Sequence, residues 1–255
     1  TRASEIEEAG ERSGILTTAC DLLGRLAYEA DRTPGAANAL VCGTEQAGAH
    51  YASKDGAAGR STFEVVLGAA RTAYDQQNDP VLAQRIIKTQ LQHASILAGR
   101  EEGAPALAVL ETAQSDARRF LKQHALHLGV LDSYVSLQLA HAEAIAADAP
   151  KLAWRLREDA VAALDHAADR IKDPAHFDRF DRTAGRSGQI LVEMCVEDSA
   201  PVPQDEVLAT CERAVVALDR VLAAVRSAKR PVTVTPETTL RAAIAKARLA
   251  ALLTG

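Results

Sequence analysis

Along most of this chain the apolar side chains return every three or four positions, the interval of an α-helix, rather than every second position as in a half-buried strand. Ser4 and Glu7 have the spacing of a capping box, and Ile6, Ile15, Leu16, Leu22, Leu23 and Leu26 predict a long first helix reaching Ala30. Pro34 and Gly35 close it, and a weaker segment rich in Ala and Gly follows over 36–54, ended by KDG. Ser61 and Glu64 form a second capping box before a helix that ends near QQND. Asp79 caps the next helix and Pro80 occupies its first position. Over 81–98 the stripe is Leu82, Ile86, Ile87, Leu91, Ala94 and Leu97, and Arg85, Lys88 and Gln92 fall outside it.

GREEG turns the chain, and Pro105 starts a helix through RRFLKQH, with Gly129 as the break before another over 130–147. Pro150 opens a long helix to Lys172, striped by Ala153, Leu156, Ala160, Leu164, Ala167 and Ile171. The pattern loosens through HFDRFDRTAGRSG at 176–188, then tightens in QILVEMCVE. A helix over 204–228 carries Val207, Leu208, Cys211, Val215, Leu218, Leu222 and Val225, and Thr235 caps a last one from Pro236 to near Thr254. VTV at 232–234 has strand propensity, but three residues between two prolines do not make a sheet. The expected fold is all-α.

Short turns favour antiparallel packing of consecutive helices. Helix starts recur near 80, 130 and 177, and again near 105, 150 and 204. The interval of about 46 to 54 residues is that of a hairpin with two long arms. Antiparallel hairpins forming a superhelical array are therefore expected, with a compact helical bundle as the alternative. Ala106, Leu110 and Ala113 have the spacing A-x3-L-x2-A, which returns as Ala160, Leu164 and Ala167, and nearly as Ala214, Leu218 and Val221. This texture resembles the second helix of a tetratricopeptide repeat, where small residues let two helices approach, and Pro174 sits roughly where that family places its turn proline. The family's first-helix half, W-x2-LG-x2-Y, has no counterpart: Trp154 is followed by Arg157 and Glu158, and Leu128-Gly129 precedes Tyr134 at another distance. The resemblance implies a concave surface that receives a peptide or protein.

The 255 residues are enough for one core, so a single all-helical domain is expected. Within it, 1–78 is a candidate N-terminal subdomain, 79–230 a hairpin array, and 231–255 a linker with a C-terminal capping helix. Apolar residues make up 47% of the chain but include only four Phe, four Tyr and one Trp, a mixture that suits close helix contacts. With 29 Lys plus Arg against 34 Asp plus Glu, the net charge of -5 gives no global field for nucleic acid. No apolar run approaches the roughly 20 residues needed to span a bilayer, and TRASEIEEAGERSG is too polar for a signal peptide. The absent Met fits a processed product or a domain cut from a longer chain. Cys20, Cys42, Cys195 and Cys211 contain no metal-type spacing. Free, mostly buried thiols in a reducing, cytoplasmic setting are expected, with a Cys195–Cys211 bridge as the alternative.

Candidate chemistry is sparse. His124 and His127 lie three apart and share a face if their helix continues through Gly129, and His141 is a third nitrogen on the next helix. A helix-end or solvated pair is the plainer reading, and no metal or cofactor is expected. His166 sits among Asp159, Asp165 and Asp169, where carboxylates favour its charged form. The two phenylalanines of 176–188 either dock a partner or complete the core. The basic groups Arg85 and Lys88 with Gln92, and Arg118, Arg119 and Lys122, suit a carboxylate-rich peptide. Tyr134 and Trp154 are further candidate contacts.

A noncatalytic scaffold or regulatory domain binding a protein or peptide between helices is the leading reading. The alternatives are a helical metal- or cofactor-binding protein or enzyme using the clustered histidines, and a self-association module forming homo-oligomers.

Overall fold

The computed structural model describes residues 33–171, 177–227 and 236–254. The expected first helix over 4–30, Cys20 and the VTV segment lie outside them. All regular structure among the described residues is helical: α1 (Thr33–Ala52), α2 (Gly56–Gln77), α3 (Pro80–Gly99), α4 (Gly103–Gln123), α5 (Leu128–Ile145), α6 (Pro150–Arg170), α7 (Phe177–Phe180), a π-helical turn (Asp181–Gly185), α8 (Arg186–Cys195), α9 (Gln204–Ser227) and α10 (Pro236–Thr254). The chain divides into two compact units between Leu137 and Gln138, inside α5.

Local chemistry explains most helix ends. Asp79 stands at the N-cap of α3, where its carboxylate accepts from the backbone N–H groups of Val81 and Leu82, with Pro80 in the first turn. Asn78 closes α2 in the left-handed conformation (φ 48°), its N–H bonded to the Tyr74 carbonyl. Pro34 and Gly35 lie in the first turn of α1, a position that Pro tolerates, and the helix they were expected to close lies outside the described residues. Two sequence expectations fail. The helix expected to start at Ser61 begins earlier, at Gly56, since Asp55 accepts from the Ala58 N–H and caps first. The break assigned to Gly129 falls at His124, and Gly129 belongs to the first turn of α5.

In the first unit, consecutive helices are antiparallel hairpins: α1 lies on α2 and α3 on α4, and α1 also packs along α3. Gly59 lets α2 come close to α1, since a Cβ there would meet the Tyr51 ring at 2.6 Å. Tyr51 and Phe63 form a core cluster with Ala47, Leu97 and Ala106. Ion pairs fasten α2 to α4, the helix two elements along: Arg60–Glu102, Arg71–Asp116 and Arg119–Asp75, each at 2.8 Å. Their partners are 42, 45 and 44 residues apart. A sequence interval of this size is what stacking one hairpin on the next requires.

The second unit repeats the device at a slightly longer sequence interval. α8 packs on α9 and α9 on α10, while α6 lies along α8. Arg220 of α9 reaches Asp169 of α6, and Arg241 of α10 reaches Gln189 of α8, at separations of 51 and 52 residues. Ala160, Leu164, Ala167, Ala214, Leu218 and Val221 are all buried, as are Ala106, Leu110 and Ala113 in the first unit. The segment around the π-helical turn is helical rather than a loose loop, and Phe180 packs on Ala168, Ala184 and Val221 beneath the Arg220 guanidinium. That phenylalanine therefore serves the core. The protein is all-α, built of paired antiparallel helices that stack hairpin on hairpin within each unit.

Candidate docking face

α3 buries Leu82, Ala83, Ile86, Ile87, Thr89, Gln90, His93, Ala94 and Leu97 against its neighbours. The opposite side is exposed and carries Val81, Arg85, Lys88, Gln92 and Ser95 in line, at alternating intervals of four and three. Three of these positions were legible as lying outside the stripe; Val81 and Ser95 extend the same line and were missed. This face differs from the arginines that join helices in the same unit, and it shares its lack of an acidic partner among the described residues with Lys54 and Lys122. Arg60, Arg71, Arg100 and Arg119 each pair with a carboxylate, whereas no acidic group among the described residues pairs with Arg85 or Lys88.

The other basic group is divided. Arg119 lies on the surface and pairs with Asp75 of α2, with its guanidinium 5.4 Å from the Tyr74 ring centre and 5.1 Å from that of Phe120. Arg118 is exposed and engaged elsewhere, and Lys122 is exposed. Tyr134 and Trp154 are only 6% and 1% exposed, so both rings belong to the interior. Helical spacing marks which residues share a face but not which face is covered, and large rings are placed by burial.

The histidines do not assemble the way continuous helical spacing would place them. α4 ends at Gln123, so His124 is its C-cap and His127 precedes α5, and neither sits on a helical face with the other. His124 Nε2 lies 3.0 Å from the Tyr74 hydroxyl, and His127 Nδ1 accepts from the Val130 N–H at 3.3 Å. Burial, with the nearby His127 adding to it, holds the His124 pKa below the usual value. His141 is buried in α5. No group of three or more His, Cys, Asp or Glu side chains among the described residues is arranged to hold a metal ion. His166 is exposed, and its neighbours have other partners: Ser187 donates to Asp165 at 2.6 Å, and Arg220 pairs with Asp169.

Sequence reasoning missed a buried polar cluster beneath the first unit's surface. The His93 ring stacks on Phe63, with centres 4.1 Å apart and planes 11° apart, and its Nε2 lies 3.1 Å from the Tyr51 hydroxyl. Nearby, Gln90 donates to Asp116 at 2.9 Å, beside the Arg71 ion pair. The signal for the second group was present as opposite charges one hairpin interval apart, Arg71 and Asp116. For the first there was none, because a lone histidine on an apolar stripe reads as core.

The expectation of free thiols is overturned. Cys195 and Cys211 form a disulfide, and Cys42 is disulfide-bonded as well. The burial expected for Cys195 and Cys211 is observed, and Cys42 is buried too. The alternative, a bridge between Cys195 and Cys211 on neighbouring helices, is the arrangement the structure has. No helix among the described residues is long and apolar enough to cross a membrane.

No protein family model matches the chain, and no curated protein matches it. Among solved structures it is similar to BtubC (BKLC) from P. vanneervenii, at 14% identity over 96% of this chain and 90% of that one, with a TM-score of 0.46. The de novo designed helical repeat protein DHR64 is 20% identical over 98% and 96% of the two chains, at a TM-score of 0.30. A structure from the computational design of self-assembling cyclic homooligomers is 12% identical over 100% and 98%, at 0.24. At these scores none of the three bears on what this chain does.

Proposed function

We propose that the chain is a noncatalytic helical-hairpin scaffold that docks a carboxylate-bearing segment of another protein on the exposed face of α3. One observation carries the reading: Arg85 and Lys88 are exposed one turn apart with no acidic partner among the described residues, in a unit where Arg60, Arg71 and Arg119 are spent on fastening helix to helix. A guanidinium offers a carboxylate two parallel N–H donors, the Lys88 ammonium adds a second charge, and Gln92 supplies both a donor and an acceptor. Because α3 is held by its buried side, the face is ordered before a partner arrives and little ordering cost remains. The buried A-x3-L-x2-A positions support a tetratricopeptide-type second helix in α4, α6 and α9.

The test is capture of synthetic peptides of equal length, one rich in Asp and Glu and one with the amides instead, by fluorescence anisotropy. The acidic peptide is expected to bind and the amide peptide to fail. Arg85→Glu with Lys88→Glu should weaken binding at least tenfold while leaving helical content unchanged. Equal binding of both peptides, or binding indifferent to the double reversal, rejects this face.

A second reading, self-association, is favoured by α10. Its buried side is Ala242 and Ala245, yet Leu240 and Ile244 are exposed one turn apart on the other side, followed by exposed Ala247 and Ala251. A helix apolar on two faces presents surface that a second helix can cover.

A further inference from the structure

The described cysteines were expected to be inert thiols, and all three are oxidised. Cys195 ends α8, Cys211 lies in α9, and their Cα atoms are 4.9 Å apart, within the span a disulfide bridges without moving the backbone. The bridge lies on a seam where the two helices run close together. In the same antiparallel register, about two turns along, Gly188 faces Leu218 so tightly that a Cβ would lie 2.8 Å from it. Both sulfur-bearing residues are 0% exposed. A catalytic or sensing dithiol is accessible and sits at a helix N-terminus or beside a cation, whereas this pair is fully buried, Cys195 at the end of α8 and Cys211 inside α9. Cys42, in the other unit, shows that oxidation is not confined to one hairpin.

We infer that the protein matures and works in an oxidising compartment, with the Cys195–Cys211 disulfide as a covalent clamp on the α8–α9 hairpin. Cytosolic glutathione and thioredoxin systems keep such pairs reduced, whereas secretory, periplasmic and extracellular settings let them form and persist. Forming the clamp removes two thiol protons and two electrons, which pass to a disulfide oxidant of the oxidoreductase or oxidised-glutathione class. A dithiol such as dithiothreitol reverses it, breaking the S–S bond, restoring two thiols and becoming a cyclic disulfide itself. The clamp closes a loop whose ends are 16 residues apart, which restricts the unfolded chain more than the folded one.

The test begins with protein from its own cells, trapped in acid at lysis, then denatured with iodoacetamide and no reductant and mapped by mass spectrometry. Cys195 and Cys211 are expected in one cross-linked peptide pair, alkylated only after dithiothreitol. Reduction in urea should proceed far faster than reduction of the native protein, because the sulfurs are buried. The double variant Cys195→Ala with Cys211→Ala is expected to melt roughly 10 °C lower than the oxidised parent. Quantitative alkylation of both cysteines without reductant overturns the inference, whether or not the variant folds. A variant that melts with the parent overturns the clamp.

Discussion

His93 shows how one side chain sets a condition for stability. It is 5% exposed, and burial, with the Arg60 guanidinium adding to it, pushes its pKa down to about 4 from 6.5. The folded protein therefore holds the ring neutral at pH values where the unfolded chain binds a proton. Its contribution is complete above about pH 6.5 and is lost progressively as pH falls through the folded value, for a total of about 3 kcal/mol. Urea unfolding at pH 7.5 and pH 4.5 should show that loss in the parent and a smaller one in His93→Gln. An unchanged pH dependence in the variant would assign the loss to other groups. None of this was legible beforehand. His93 lies next to Ala94 on the apolar side of α3, but its stacking on Phe63 and its contact with Tyr51 join side chains from three helices, and spacing within one helix is silent about that. His124 and His127 mark the converse failure. Their spacing was real, and a helix end between them removed its meaning.

Helices were the most legible level, because burying one side of a rod imposes a period that any stretch of chain reveals. Boundaries failed where two signals competed, as when Asp55 capped α2 ahead of Ser61. The pairing of hairpins was half legible. Recurring helix starts gave the interval, but the charges that use it went unread. Asp116 is the most informative of these. It accepts from Gln90 of α3 and pairs with Arg71 of α2, so one carboxylate ties three helices. Asp116→Ala leaves the Gln90 amide, on a residue 1% exposed, without its acceptor, and should cost about 2 kcal/mol, read as a lower urea midpoint. If the ladder is a unit, Arg71→Ala in the same background should cost less than it does alone. Strict additivity of the two substitutions would show that the charges merely lie near each other.

For the whole molecule, two surfaces compete as the working one, and they answer to salt in opposite ways. Docking on Arg85 and Lys88 is a contact between exposed charges, and the Debye length shrinks from about 10 Å at 0.1 M to about 3 Å at 1 M. The chain's net charge of -5 adds a general repulsion toward acidic partners, which salt also screens but which acts over longer distances and is weaker at contact. Capture of an acidic peptide should therefore fall steeply between low and high NaCl. Association through Leu240 and Ile244 of α10 would instead survive NaCl and strengthen in sulfate, which favours apolar burial. Light scattering and peptide anisotropy on one sample across both salts separate the two. The expected result is peptide binding lost by 1 M NaCl while the mass stays constant across NaCl. A mass that rises with protein concentration in sulfate, and returns to one chain in Leu240→Gln with Ile244→Gln, would move the working surface from α3 to α10.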